Sequence, residues 1–158
     1  MIIRLFITFL LITLAPITSF GQIKLEDLKI DTSLTGFHYA ANFQGTIIYT
    51  KNGSPDINKI NPNAFSFTIA PNISFEDAKE EIRHLLKRSL ENNFTISELV
   101  EEDTTLDSKR FYSIGYTETT EKNKYKNFVF NAIVEKGNTI IIFASGDLDN
   151  GIYIEKFK

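Results

Sequence analysis

The sequence predicts an α+β domain in which an antiparallel sheet of about six to seven strands carries one long helix, residues 74–91, on one face and short terminal segments on the other. Three observations predict it. After Ser74 the apolar residues Phe75, Ala78, Ile82, Leu85, Leu86 and Leu90 recur at helical spacing and make one stripe. Strand-like segments lie on both sides of that helix, and those after it are joined by links short enough to demand antiparallel pairing. Several of them are apolar on both faces, so both faces need cover.

Residues 22–35 mix Ile23, Leu25, Leu28 and Ile30 with charges, and a docking strand, a helical turn and a linker all fit. Residues 37–43 and 46–50 read as two short strands around a Gln44-Gly45 turn. Asn52-Gly53, Pro55 and Pro62 mark residues 51–63 as a loop. From Ala64 to Ala70, Phe65, Phe67 and Ile69 alternate with Ser66 and Thr68, the pattern of a half-buried strand that Pro71-Asn72 stops. Ser74 then caps the helix, with Asp77 at the capping-box position and Ile73 placed to staple onto Ala78. Lys87 and Arg88 suit its negative end, and Asn92-Asn93 close it. Four strands follow over 94–100, 110–118, 126–135 and 139–146, the last two linked through Gly137-Asn138 as a hairpin. Residues 147–151 form a turn, and Ile152, Ile154 and Phe157 belong to a short terminal element.

The chain has 158 residues, 42% of them apolar, and a net charge of -3. That allows one domain plus a targeting segment, and excludes a disordered chain. Arg4, an apolar run from Leu5 to Leu14, Pro16 and then Thr18 to Gln22 have the layout of a cleaved export signal. The apolar run is too short for a bilayer span. We therefore read residues 1–21 as a cleaved signal peptide, 22–36 as an N-terminal segment and 37–158 as a single α+β domain. The expected location is periplasmic or extracellular, with no stable membrane span after cleavage. The part from Gln22 on has 137 residues and no Cys, so packing alone must hold it together outside the cytoplasm. Its acidity argues against nucleic acid.

The ending Ser19-Phe20-Gly21-Gln22 resembles export signals common in Bacteroidetes. The mature part resembles the Mog1/PsbP-like group of α/β/α sandwiches. That match runs through Phe65-Ser66-Phe67-Thr68-Ile69, the helix from Ser74, the meander ending Ile140-Ile141-Ile142-Phe143-Ala144, the acidic turn 147–149 and a last element over 153–157. The resemblance implies the fold but no active site, because the group is functionally diverse. A cystatin-like helix on an antiparallel meander is the alternative.

Candidate chemistry is sparse, and no catalytic, cofactor-binding or metal residues are assigned. His38 and His84 are the only histidines, and Glu80 four residues before His84 would suit a hydrolase centre if the groups converge. No HExxH, GxSxG or P-loop occurs. The acidic run Glu98, Glu101, Glu102, Asp103 and Asp107 suits a divalent cation, a basic partner or a solvated turn; it lacks the glycine of a calcium loop. Asp147, Asp149 and Gly151 resemble the start of such a loop with the glycine one residue early. Tyr112, Ile114 and Tyr116 share one strand face and, with Tyr39 and Tyr49, form a candidate partner surface, core packing being the alternative. The function expected is a non-enzymatic exported domain that binds a protein or envelope component. An immunity or inhibitor protein against a secreted toxin is one version; a small-molecule carrier and a hydrolase using His84 are the other readings.

Overall fold

The computed structural model describes residues 31–54, 63–121, 125–148 and 151–153. The predicted signal peptide, most of the N-terminal segment, the body of the 51–63 loop and the residues after 153 lie outside that set. In chain order the elements are α1 (Thr32–Thr35), β1 (His38–Phe43), β2 (Thr46–Thr50), β3 (Ala64–Pro71), α2 (Phe75–Glu91), β4 (Thr95–Leu106), β5 (Lys109–Thr120), β6 (Tyr125–Lys136) and β7 (Thr139–Asp147). The strands form one seven-stranded sheet in the order β1-β2-β3-β7-β6-β5-β4, and every neighbouring pair is antiparallel. This is the predicted α+β architecture with one long helix. A plain meander would set the strand before the helix beside the strand after it. Here β3 pairs with β7 instead, and β4 lies at the far edge.

That topology dictates the path of α2. Alternating antiparallel pairing makes β3 and β4 run in the same direction, so the chain between them must return along the sheet, and α2 does this over β4 to β7. Ser74 starts it: its Oγ accepts the Asp77 N–H at 3.0 Å and donates to the Asp77 carboxylate at 2.6 Å. Phe75, Ala78 and Ile82 are buried against Tyr112, Ile114 and Tyr116 of β5, Ile133 of β6 and Ile140 of β7. Ile73 packs on the same cluster, as the staple pattern predicts. The apolar stripe outlasts its contact, however. Leu85 and Leu86 are half-buried and Leu90 is 54% exposed, because the last turn passes beyond the sheet's apolar floor.

The opposite face is covered elsewhere. Asp31 caps α1 by accepting the Ser33 N–H at 2.9 Å, and Gly36, at φ +72°, turns the chain inward. Phe37 is thereby delivered, fully buried, onto Phe65 at 5.3 Å, with Tyr153 edge-on to it at 5.2 Å. Tyr49 stacks on Phe65, and Phe67 and Phe143 extend the aromatic layer toward Phe130. Among the described residues, the terminal segments thus cover the face away from α2, as predicted, over β2, β3 and β7.

One strand is longer than the sequence suggests. Residues 101–106 continue β4, so the acidic run is strand and not a solvated turn. The turn comes at Asp107-Ser108, both with positive φ, as a two-residue hairpin requires. Ile82 and Leu90 test the account of α2. Ile82→Ala is expected to lower unfolding free energy by about 2–5 kcal/mol, and Leu90→Ala by less than about 0.5 kcal/mol, in urea melts followed by circular dichroism.

Candidate functional site

Strand alternation sorts the acidic run into two sets. Glu101 and Asp103 pair in register with Ile114 and Tyr112, so their side chains lie on the helix side. There they meet a row of bases on and beside α2. Lys79 is ion-paired with Asp103, Arg83 with Glu101, and Arg110 of β5 with Glu76 of α2. The Tyr112 hydroxyl donates to Glu101 at 2.9 Å and accepts from Arg83 Nε at 3.3 Å. Burial first, and the Glu101 bond second, push this phenol up to about 12. The Arg83 contact holds the Glu101 carboxyl below its ordinary range, and Lys79 does the same for Asp103. Two of the five acids of the run, Glu101 and Asp103, therefore tie α2 to the sheet.

Glu98 and Glu102 belong to the other face. Glu102 pairs with Ser113, Val100 with Gly115 and Thr104 with Phe111. The register slips between Ser97 and Val100, and Glu98 sits in this bulge at φ +54°. A bulge re-aims a side chain, and here the Glu98 carboxylate accepts the Thr117 hydroxyl at 2.6 Å across the strand pair. On β5 the residues of this face are small: Ser113, Gly115 and Thr117. Larger ones flank them, Val100 and Glu102 on β4 and Phe128 and Phe130 on β6. Small residues between large ones leave a groove of about 670 Å³, floored by β5 and walled by Phe111 and Phe130. Its lining carries two carboxylates and no Lys or Arg. Val100 and Leu106 at its rim are 67% and 55% exposed.

The candidate surface expected from Tyr112, Ile114 and Tyr116 needs correction. All three are buried, at 5% exposure or less, because α2 closes their side of the sheet. Tyr49 is buried in the aromatic layer on the other side, and only Tyr39 of the five is exposed, edge-on to Tyr49 at 6.2 Å. The groove lies on the reverse of β5, where Gly115 is half-buried and Ser113 and Thr117 are buried between their larger neighbours. The signal was present in the run Tyr112-Ser113-Ile114-Gly115-Tyr116-Thr117, which alternates large with small. The large half announces core; the small half leaves space.

The histidines are not brought together. His84 is exposed on α2, and Glu80 turns to Arg83 at 3.1 Å. His38 is exposed on β1, at the sheet edge opposite β4. Among the described residues no group of three or more His, Asp or Glu side chains is placed to hold a metal ion. Asp147 is fully buried and accepts the Tyr153 N–H at 2.7 Å, so it anchors the chain end that packs on Phe37. Under Phe75, Ala78 and Ile82 the space between α2 and the sheet is filled by the side chains named above.

No protein-family model matches the chain, and no curated protein matches its sequence. Solved structures with a similar outline include the Ran-binding protein Mog1p of Saccharomyces cerevisiae, 13% identical over 72% of this chain and 68% of that one, TM-score 0.44. Another is the PsbP protein (CyanoP) of Synechocystis, 16% identical over 78% and 80%, TM-score 0.44. A third is a Pseudomonas aeruginosa protein of unknown function described as a putative regulator, 16% identical over 70% and 74%, TM-score 0.40. The likeness is one of fold outline.

The helix-side ladder makes stability depend on pH. Carboxyls held below their ordinary values of 4.5 and 3.8 stabilise the fold above those values, and the contribution is lost as pH falls through the depressed ones. The variant Glu101→Gln/Asp103→Asn is expected to melt below wild type at pH 7. That gap should close as the pH of the melt drops below about 4.

Proposed function

We propose that this chain is an exported, non-enzymatic binding domain whose groove over β4, β5 and β6 takes a basic, partly apolar segment of another envelope or secreted protein. The observation that carries the reading is the groove's lining: Glu98 and Glu102 with no basic residue, beside exposed Val100 and Leu106. Charge complementarity selects a cationic partner, and the exposed apolar rim supplies surface to bury. The same carboxylates repel phosphate, against a nucleic-acid ligand.

β4 adds a second element. It is an end strand of the sheet, 12 residues long, and all of it except Ile96 is exposed. An end strand presents backbone groups to which an extended peptide can pair. Pairing with a second copy is disfavoured, since antiparallel β4–β4 contact sets Glu101, Glu102 and Asp103 against one another. The export pattern around Arg4, Leu5–Leu14 and Pro16 supports a partner outside the cytoplasm. An inhibitor of a secreted toxin is one form that such a domain takes. Catalysis has less support, because Glu80 is engaged by Arg83 and His84 is left exposed on α2.

Three variants test the reading in pull-downs from envelope and secreted fractions. Glu102→Lys reverses one groove charge at an exposed position. Gly115→Ala adds a methyl 3.7 Å from the Phe130 ring, an ordinary contact that the fold accepts while the floor is raised. Tyr39→Ala, at the far edge, is the control. A partner recovered by wild type and Tyr39→Ala, released by salt, and lost by about tenfold or more with Glu102→Lys supports the groove. Identical recovery by all four proteins contradicts it.

A further inference from the structure

At the C-terminal end of α2, on the helix side of the sheet, a second site stands apart from the groove and does not depend on it. Glu118 of β5 is only 8% exposed there. A buried carboxylate is costly unless hydrogen-bonded, and Glu118 has two donors: the Ser89 hydroxyl of α2 and Asn127 Nδ2 of β6, the latter at 3.1 Å. The amide of Asn127 is oriented by that bond, since the flipped amide would set two oxygens face to face. Its Oδ1 consequently points away from Glu118, and it is buried with no hydrogen-bond partner. Asn127 Oδ1 is thus an unused acceptor beside a buried carboxylate whose own donors are neutral, a setting that suits a donor carrying positive charge.

The surroundings agree. A cavity of about 380 Å³ opens between the last turns of α2 and β5–β7, and both Glu118 and Asn127 line it. Leu85, Phe94 and Val129 supply apolar wall, and Arg88 and Asn92 are exposed residues of its lining. The Tyr116 hydroxyl beside them is pushed up to about 12, by burial first and the charge of Glu118 second, so it stays neutral. α2 also ends here, presenting the negative end of its dipole. Gly146 of β7 leaves the space beside the orphan oxygen free of side chain: a Cβ at that position would sit 3.2 Å from Asn127 Oδ1. A single carboxylate does not make a divalent-metal site. A primary ammonium offers three donors, one positive charge and no acceptor.

We propose that this cavity binds a short alkylammonium group, with its N–H donors on Glu118 and Asn127 Oδ1 and its alkyl chain along Leu85, Phe94 and Val129. The group belongs either to a free small amine or to a lysine side chain of a partner. n-Butylammonium is the first probe, followed by the Asn127 side-chain amide signals in ¹⁵N NMR. It should bind saturably and shift those signals. Butyltrimethylammonium, equal in charge but without N–H donors, should bind at least tenfold more weakly. Glu118→Gln and Gly146→Ala should each weaken butylammonium by tenfold or more; circular dichroism melts confirm that each variant is folded, and Gly146→Ala keeps the test open if Glu118→Gln is not. A blocked lysine (Nα-acetyl-lysine methylamide) that binds tighter than butylammonium identifies a partner side chain as the source; the reverse order identifies a free amine. Equal binding of the two butyl cations, or undiminished binding to folded Gly146→Ala, overturns the assignment.

Discussion

One α-helix is too narrow for this sheet. Seven strands spaced about 4.8 Å apart span roughly 29 Å between the outermost, whereas a helix with its side chains is about 10–12 Å across. α2 therefore covers one face over β4 to β7 and does not span the whole of it. The other face must find its cover elsewhere, because β6 and β7 are apolar on both sides. Phe37 and Tyr153 provide it over β2, β3 and β7. The two covers lie on opposite faces and are offset along the sheet. Both candidate sites follow from that offset. The groove is the uncovered reverse of the helix-bearing strands, and the polar cavity is where α2 runs out before the strands do.

The acidic run shows how one stretch of sequence serves two ends. In a strand, neighbours point to opposite faces, so the three consecutive acids Glu101, Glu102 and Asp103 cannot act as one cluster. Glu101 and Asp103 meet the bases of α2 and fix the helix against β4 and β5. Exposed pairs of this kind contribute little each, yet three in a row set the helix's position along the sheet. Glu98 and Glu102 are left on the open side with Thr117 as the only side-chain donor to either among the described residues. The same run that positions the cover also charges the surface that the cover leaves open.

Much of the fold was legible in the residues. Ser74, the stripe from Phe75 to Ile82 and the alternation of 64–70 and 126–135 marked their elements within one or two positions. The strand pairing of β3 with β7 was not legible, because long-range pairing leaves no local periodicity. Residues 101–106 were obscured because three acids in a row look like a solvated turn, and the bases that pair with two of them, Lys79 and Arg83, stand far off in the sequence on α2. The candidate site was misplaced by one residue in register. Tyr112, Ile114 and Tyr116 drew attention as large aromatics and aliphatics, but large residues at alternate positions are what a helix-covered face requires. The informative positions were Ser113, Gly115 and Thr117, whose smallness is invisible until β4 and β6 stand on either side.

The two faces of β5 can be compared directly at neighbouring positions. The chain has no cysteine, so a single introduced thiol reports its own site without background. Ile114→Cys and Gly115→Cys place that thiol on opposite sides of one strand, under α2 and on the groove floor. Labelling of the folded proteins with a small maleimide is the measurement. Gly115→Cys, half-buried on the groove floor, should react many times faster than Ile114→Cys, which should label only on the timescale of unfolding. Protection of Gly115→Cys together with rapid labelling of Ile114→Cys would contradict the assignment of which face the helix covers, and with it the groove.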